Sequence, residues 1–446
     1  MAGSEPGTGA ARGSVEIRGR ALASTALVRV VTLVVSGIPT VFAWALMSKR
    51  LNASDFAGVS LALSIPTLST FILPAMGARI ANAVARSAEE FEDAVVRSVR
   101  ACLMAGVSLV AVTGALAGIG WSRLLGRQEP DPFPMNAAVL FVSIAMALWI
   151  VLLIGERVLI AKGEVTQRIL ASAVTGPAAL AGVLVVDLAH GPSWAYVLPI
   201  PCSMVLAAAC SLALALRLPG VRGGALYRGL WTRSSASFGR STLTLWLIVV
   251  EGSIIVPIWL LRPVVSLHGS DQDVAALSIA LQFATPVLSL LGVLGQGLWP
   301  FYAHHRLTLD RGDVIRHIAV MAAVGAGLAG CYTIGLEALF HLDLVGHRAS
   351  AAVLVAMALY IVARAAWEPA RIVFSTDETA PHLAGLCLLT CAAAVVGMWL
   401  FGGHEHGALA LAIVAAAFAA ISMLAPATLM TRFVQGVPVA QGRNSD

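Results

Sequence analysis

Long apolar stretches separated by short polar breaks run along almost the whole chain. A membrane-spanning helix needs about 20 mainly apolar residues, and roughly twelve stretches meet that requirement. The predicted spans are 21–47, 56–84, 97–120, 136–155, 168–189, 194–216, 239–261, 274–301, 316–338, 350–372, 381–401 and 407–431. The pattern therefore predicts an all-α integral membrane protein with about twelve transmembrane helices.

Composition supports this prediction, since 58% of the 446 residues are hydrophobic and only 12% are charged. About a quarter of the residues in a soluble domain are charged. Residues 1–20 lack an apolar core, so we expect a disordered cytoplasmic tail rather than a cleaved signal peptide. The first span would then act as the insertion signal in the inner (plasma) membrane.

The distribution of Lys and Arg predicts the orientation. With the N-terminus inside, the cytoplasmic segments collect 20 of these residues and the external loops collect six, including Arg127, Arg262 and Arg348. Cytoplasmic loops are enriched in Lys and Arg, so both termini are predicted to be cytoplasmic. The net charge of +5 then reflects topology and does not indicate a nucleic-acid partner.

The two halves of the chain align at a constant offset of 218 residues. The matched pairs that are least expected by chance are Pro39 and Pro257, Asp55 and Asp273, Thr67 and Thr285, Gly77 and Gly295, and Trp149 and Trp367. Six spans per half give both halves the same orientation, as in transporters built from parallel repeats. We predict six-helix lobes at 21–219 and 238–436 around a central cavity, a basic cytoplasmic linker at 220–237 and a cytoplasmic tail at 437–446.

Polar residues recur at helical spacing in three spans. Steps of three and four residues place each set on one helical face. The sets are Thr25, Arg29, Thr32, Ser36 and Thr40 in the first span, Ser60, Ser64, Thr67, Thr70 and Pro74 in the second, and Ser278, Gln282, Thr285, Ser289, Gly292 and Gln296 in the eighth. Ser and Thr also join helices at ordinary packing interfaces. The joint pattern favours a shared polar cavity.

Ionisable residues within spans should face a cavity or a partner, because a charge at mid-bilayer costs about 2.5–3.5 kcal/mol. The candidates are Arg29, Arg79 and Glu251, together with Arg364 and Glu368, which are four residues apart. Arg371 follows three residues later, so Glu368 can pair with both arginines. Snorkelling to the inner surface is the alternative for Arg79 and Arg371, and a buried pair with an Arg is the alternative for Glu251. Arg262 is interpreted as interfacial.

Several catalytic motifs are missing from the sequence. There is no GxxxxGK[ST] phosphate loop, no HExxH or GxSxG motif, and no cluster of His residues at metal-ligand spacing. We therefore expect no ATPase, no metal and no cofactor. An integral-membrane enzyme of glycan assembly is disfavoured, because the longest external loop, 121–135, is short and offers only Glu129 and Asp131 as acids.

Residues 51–86 resemble the start of the polysaccharide flippases, which belong to the multidrug/oligosaccharidyl-lipid/polysaccharide exporter superfamily. That family often shows an L-x-x-x-D-F-G loop after its first helix. Leu51, Asp55 and Phe56 match it, whereas Ala57 occupies the place of the Gly. The layout of six plus six helices with a basic central loop resembles the family along nearly the whole chain.

The resemblance implies that the first, second, seventh and eighth helices line a central cavity, and that a lipid-linked sugar is moved between leaflets by alternating access. The predicted substrate is a polyprenyl-pyrophosphate-linked oligosaccharide for cell-surface polysaccharide, and a polymerase or glycosyltransferases are candidate partners. The predicted site is Arg29, Ser36, Ser64, Thr67, Arg79, Glu251, Gln282, Thr285, Gln296 and Arg364. A proton- or sodium-coupled drug exporter shares the fold and remains the alternative.

Overall fold

The computed structural model describes a helical chain. It covers residues 31–32, 34–67, 80, 88–127, 133–219, 221, 223–224, 242–305, 309–376, 378–401 and 407–435. No strand occurs in these ranges, as expected in a lipid bilayer, where backbone N–H and C=O groups must be satisfied within helices or closed barrels. The predicted all-α fold is confirmed.

In the described residues, twelve long helices follow one another in the order of the predicted spans, with a short helix, Trp121–Leu124, between the third and the fourth. They are α1 (34–50), α2 (Ala53–Thr67), α3 (Ala88–Ala117), α4 (Met135–Leu152 and Ile154–Ala161), α5 (Val165–Ala173 and Thr175–Leu188), α6 (Ser193–Val197 and Pro199–Ala215), α7 (Thr242–His268), α8 (Asp271–His305), α9 (Arg311–His341), α10 (Ala351–Val373), α11 (Ala380–Phe401) and α12 (Ala408–Gln435). Within the described residues, α3–α12 provide ten helices that are long and apolar enough to cross a membrane. The described part of α2 is only 15 residues long.

The seventh span extends further than predicted. We placed its end at residue 261 and Arg262 in an external loop, but α7 continues to His268 and Arg262 is buried in it. Polar residues in this last stretch, such as Ser266 and His268, made it resemble a loop. They are accommodated because Ser266 hydrogen-bonds to Leu125 of the N-terminal half.

The 218-residue register recurs at the starts of α2 and α8, since residues 53 and 271 are 218 apart. Asn52 caps α2 by accepting a hydrogen bond from the Asp55 N–H at 2.8 Å. Ser270 caps α8 in the same way, and Asp273 Oδ2 accepts in return from the Ser270 N–H at 2.9 Å. Side chains that take up free N–H groups in the first turn define where a helix begins.

Helices α2 and α8 also provide contacts between the two halves. They pack against each other, and α7 contacts α2 as well. Nearly all of the predicted linker 220–237 lies outside the described residues. The predicted domain limits, the central cavity and the cytoplasmic location of both termini therefore stay predictions.

Candidate functional site

The first contact between the halves joins the α1–α2 connection to the α9–α10 connection. The Gly346 N–H donates to Ser48 Oγ at 3.2 Å, and His347 Nε2 lies 3.2 Å from the Leu51 carbonyl oxygen. Lys49 Nζ donates to the Asp343 carbonyl at 2.6 Å and lies 3.0 Å from Asp343 Oδ2. A Cβ at position 346 would lie 2.1 Å from the Ser48 carbonyl oxygen, so this approach requires glycine.

The second contact joins the α3–α4 connection to the α7–α8 connection. Ser266 Oγ donates to the Leu125 carbonyl at 2.7 Å. The Arg127 side chain is 3% exposed and lies 3.2 Å from Asp271 Oδ1, while its second Nη donates to Ser54 Oγ at 2.9 Å. A buried guanidinium with an acid and a hydroxyl partner fixes this corner.

The two contacts are related by the internal register, because Ser48 and Ser266 are 218 residues apart, as are Leu125 and Asp343. In each, the first hairpin of one half binds the second hairpin of the other half. We call the two contacts together the interlobe seam, defined by residues 48–54, 125–127, 266–271 and 343–347. The seam holds the halves together at the end of the bundle that the charge distribution predicts to face outwards.

Four charged side chains meet inside the C-terminal half. Arg371 of α10 lies 2.7 Å from Glu251 of α7 and 2.8 Å from Glu368 of α10. Arg364, one turn earlier, also bonds Glu368. We call these four residues the charge network. Two carboxylates balance two guanidinium groups, so the network is neutral.

Neighbouring helices pack closely around the charge network. Glu368 is fully buried, and a Cβ on Gly295 of α8 would lie 2.7 Å from Glu368 Oε2. The Arg364 guanidinium lies 5.9 Å from the ring centre of Phe418 on α12, a cation–π distance. The network therefore joins α7 to α10 against α8 and α12.

The charge network confirms part of the prediction and changes another part. Glu368 does pair with both Arg364 and Arg371, and Glu251 forms a half-buried pair with an arginine. The partner of Glu251 is Arg371, for which snorkelling to the inner surface was the alternative. The i, i+4, i+7 spacing predicted the pairs within α10, but no sequence signal indicated which arginine Glu251 of α7 would meet.

The predicted polar residues differ in their surroundings. Ser36 Oγ accepts from the Gly176 N–H of α5 at 3.2 Å. Ser64 is buried and donates to the Leu61 carbonyl at 2.8 Å. Gln282 is half-buried, and Thr285 is exposed although its hydroxyl donates to the Leu281 carbonyl. At these positions, the stripe on α8 is thus more accessible than the stripe on α2.

Four predicted site residues are only partly accounted for. Arg29 and Arg79 lie outside the described residues. Thr67 and Gln296 lie within α2 and α8, but their side chains are outside the described part. Among the residues that the structure describes, no group of His, Cys, Asp and Glu could hold a metal ion.

The fold resembles that of known transporters. An inward-facing multidrug resistance MATE family transporter of the MOP superfamily matches at 13% identity with a TM-score of 0.58, covering 92% of this chain and 99% of that chain. The lipid II flippase MurJ in an inward closed conformation matches at 13% identity and 0.54, covering 91% and 87%. An outward-facing MATE family transporter matches at 13% and 0.51, covering 91% and 97%.

No protein-family model matches the chain, and no curated protein matches its sequence. At 13% identity, the structural likeness shows the fold and does not identify a substrate. The chain has the fold of MOP-superfamily transporters, and it is a multi-pass membrane protein.

Proposed function

We propose that this protein is a transporter that flips a polyprenyl-pyrophosphate-linked oligosaccharide from the inner to the outer leaflet, for cell-surface polysaccharide synthesis. The proposal is supported by a fold that resembles those of a lipid II flippase and of multidrug transporters. Lipid-linked oligosaccharide flipping and cation-coupled drug export, the two functions considered from the sequence, are therefore both compatible with this fold. The choice between them depends on the charged groups within the membrane-spanning helices.

The charge network is the observation that favours flipping. A cation-coupled exporter needs a membrane-buried acid that can release and take up its proton or sodium ion. Glu251 and Glu368 both bind Arg371, and Glu368 also binds Arg364. The bonded guanidinium groups occupy carboxylate oxygens that a coupling ion would need. Both acids therefore suit a structural switch better than an ion-coupling site.

The proposed mechanism is alternating access between the halves. With the interlobe seam closed, the substrate would enter from the cytoplasmic leaflet. Opening of the seam would release it on the other side. Arg29, Arg79 and Arg364 are the proposed ligands of the phosphates, and the α8 stripe with Gln282 and Thr285 would meet the sugars. Glu251 would respond to substrate through Arg371, since this pair links α7 to α10.

A side-by-side transport assay tests the substrate class. Purified protein is reconstituted into vesicles that carry a fluorescent polyprenyl-pyrophosphate disaccharide, and flipping is followed by a membrane-impermeant quencher. In the same vesicles, efflux of a lipophilic dye cation is driven by an imposed proton or sodium gradient. We expect protein-dependent flipping without gradient-driven efflux. Efflux without flipping would favour the exporter and overturn the proposal.

A further inference from the structure

Arg262 is a buried arginine that belongs neither to the interlobe seam nor to the charge network. It lies in α7, six residues before the end of the helix at His268, which corresponds to a depth of about 9 Å. Only 8% of its surface is exposed. This depth and burial place a permanent positive charge within the membrane-spanning part of the protein.

The side chain does not run towards the membrane surface. Its Nε donates to Ser278 Oγ at 3.1 Å, and Ser278 lies seven residues after the start of α8 at Asp271, again about 10 Å deep. The side chain therefore crosses from α7 to α8 at nearly constant depth. Snorkelling, in which the charged head reaches water, does not describe it.

Among the described residues, Arg262 has no counter-ion. Arg127 and Arg371 differ in this respect, since Arg127 pairs with Asp271 and Arg371 pairs with two glutamates. No described carboxylate lies within ion-pair distance of Arg262, and Ser278 takes up only one of its five N–H donors. Arginine stays charged under all ordinary conditions, and an unpaired charge buried in this way is costly. An anion would remove that cost.

The position of Arg262 relative to the interlobe seam indicates where an anion would meet it. Ser266, one turn further out on the same face of α7, forms the seam contact with Leu125. On α8, Gln282 follows Ser278 by one turn and is half-buried. Arg262 therefore lies directly beneath the seam, where the polar stripe of α8 begins.

We propose that Arg262, with Ser278 and Gln282, forms an oxyanion site beneath the interlobe seam, and that it receives the pyrophosphate of the transported lipid. This inference rests on the proposed function for the identity of the anion. The guanidinium can bind two phosphate oxygens side by side, and Ser278 holds its Nε edge in place. The site would take the head group as it approaches the seam, before the seam opens.

Binding of inorganic pyrophosphate to the purified protein tests the site. Its dissociation constant is obtained from the pyrophosphate-dependent rise in melting temperature at constant ionic strength. Charge-assisted hydrogen bonds contribute about 1.5–3 kcal/mol, so Arg262→Gln should weaken binding about 10- to 100-fold. Arg262→Lys should bind with intermediate strength, because it keeps the charge and loses the fork. The matched control is Arg348→Gln, at an exposed arginine that pairs with Glu337, and it should bind like the wild type.

A second readout separates anion binding from a structural role. Without pyrophosphate, Arg262→Gln should raise the melting temperature or leave it unchanged, because it removes an unpaired charge and an amide can still reach Ser278. Arg127→Gln should lower it, because Asp271 would lose its partner. Equal pyrophosphate binding by Arg262→Gln and the wild type, or an absence of binding by the wild type, would overturn the site.

The outcomes also separate the site from the proposed function. Flipping that persists while Arg262→Gln binds pyrophosphate like the wild type would contradict the site alone. Pyrophosphate binding that depends on Arg262, in a protein that does not flip the lipid-linked disaccharide, would contradict the proposed function and keep the site.

Discussion

Helices α4 and α10 occupy equivalent places in the two halves but carry opposite chemistry. At the 218-residue offset, Arg364, Glu368 and Arg371 of α10 correspond to Met146, Ile150 and Leu153 of α4. The three α4 side chains are buried and apolar. The adjoining tryptophans, Trp149 and Trp367, keep the register. Equivalent helices are thus built once with an apolar interior and once with an ionic one.

The comparison indicates that the fold does not need these ions. Buried ion pairs are often neutral or unfavourable relative to apolar packing of similar volume, and α4 shows that apolar packing is available at this position. Charges kept in only one half therefore indicate a role in function. The same asymmetry recurs beneath the seam, where Arg262 corresponds to Trp44, and Trp44 packs edge-on against Phe56 at 5.9 Å.

The largest expected effect comes from removing one member of the charge network. Glu368→Ala leaves Arg364 without its carboxylate and Arg371 with only Glu251. We expect the free energy of unfolding to fall by about 3–5 kcal/mol, measured by denaturant titration in mixed micelles.

The corresponding control gives α10 the apolar interior of α4. The quadruple variant Glu251→Leu, Arg364→Met, Glu368→Ile and Arg371→Leu leaves none of the four charges, so its stability should lie within about 1–2 kcal/mol of the wild type while flipping is lost. If it unfolds as readily as Glu368→Ala, the network is structural and the comparison fails.

A smaller effect is expected for Gly295→Ala in α8. The new Cβ would lie 2.7 Å from Glu368 Oε2, and overpacking of this kind costs about 1–3 kcal/mol. Gly292→Ala, one turn earlier, meets nothing within 4 Å and should be neutral or stabilising by up to about 1 kcal/mol. Equal effects of the two substitutions on the melting temperature would show that the network is not held by α8.

The smallest expected effect is a pH dependence at the seam. Burial lowers the pKa of His347 below its usual 6.5, and this effect outweighs the hydrogen bond to the Leu51 carbonyl, which raises it. The unfolded chain therefore binds a proton at higher pH than the folded protein does, so stability should decline as the pH falls below about 6.5. The melting temperature of His347→Gln should show less of this decline between pH 7 and pH 5. A decline unchanged by the substitution would assign it to other groups.

The sequence predicted most of the fold because its signal is simple. Long apolar stretches are hard to reconcile with anything but spans, and most predicted ends lie within a few residues of the observed helices. The end of α7 was wrong because Arg262, Ser266 and His268 looked like a loop. Their burial depends on Leu125 and Ser278, which the chain brings close only by folding.

The candidate site was less predictable because it, too, depends on contacts that only folding creates. Helical spacing is enough to pair Glu368 with Arg364 and Arg371, since all three share one face of α10. The Glu251–Arg371 contact depends on how α7 packs on α10, and sequence spacing has no information on that. The stripes on α2 and α8 looked equivalent, yet Ser64 is buried and Gln282, 218 residues later, is half-buried.

Reversible cross-linking of the interlobe seam tests the central claim, that substrate passes because the halves separate there. In a cysteine-free background, Lys49→Cys and Asp343→Cys would be joined by a reducible bis-thiol reagent that spans this ion pair, in which Lys49 Nζ lies 3.0 Å from Asp343 Oδ2. The matched control, Glu337→Cys with Arg348→Cys, joins side chains 3.3 Å apart within the C-terminal half. We predict that cross-linking the seam abolishes flipping in vesicles until it is reduced, and that the control pair has no effect. Undiminished flipping by the cross-linked seam would contradict the account.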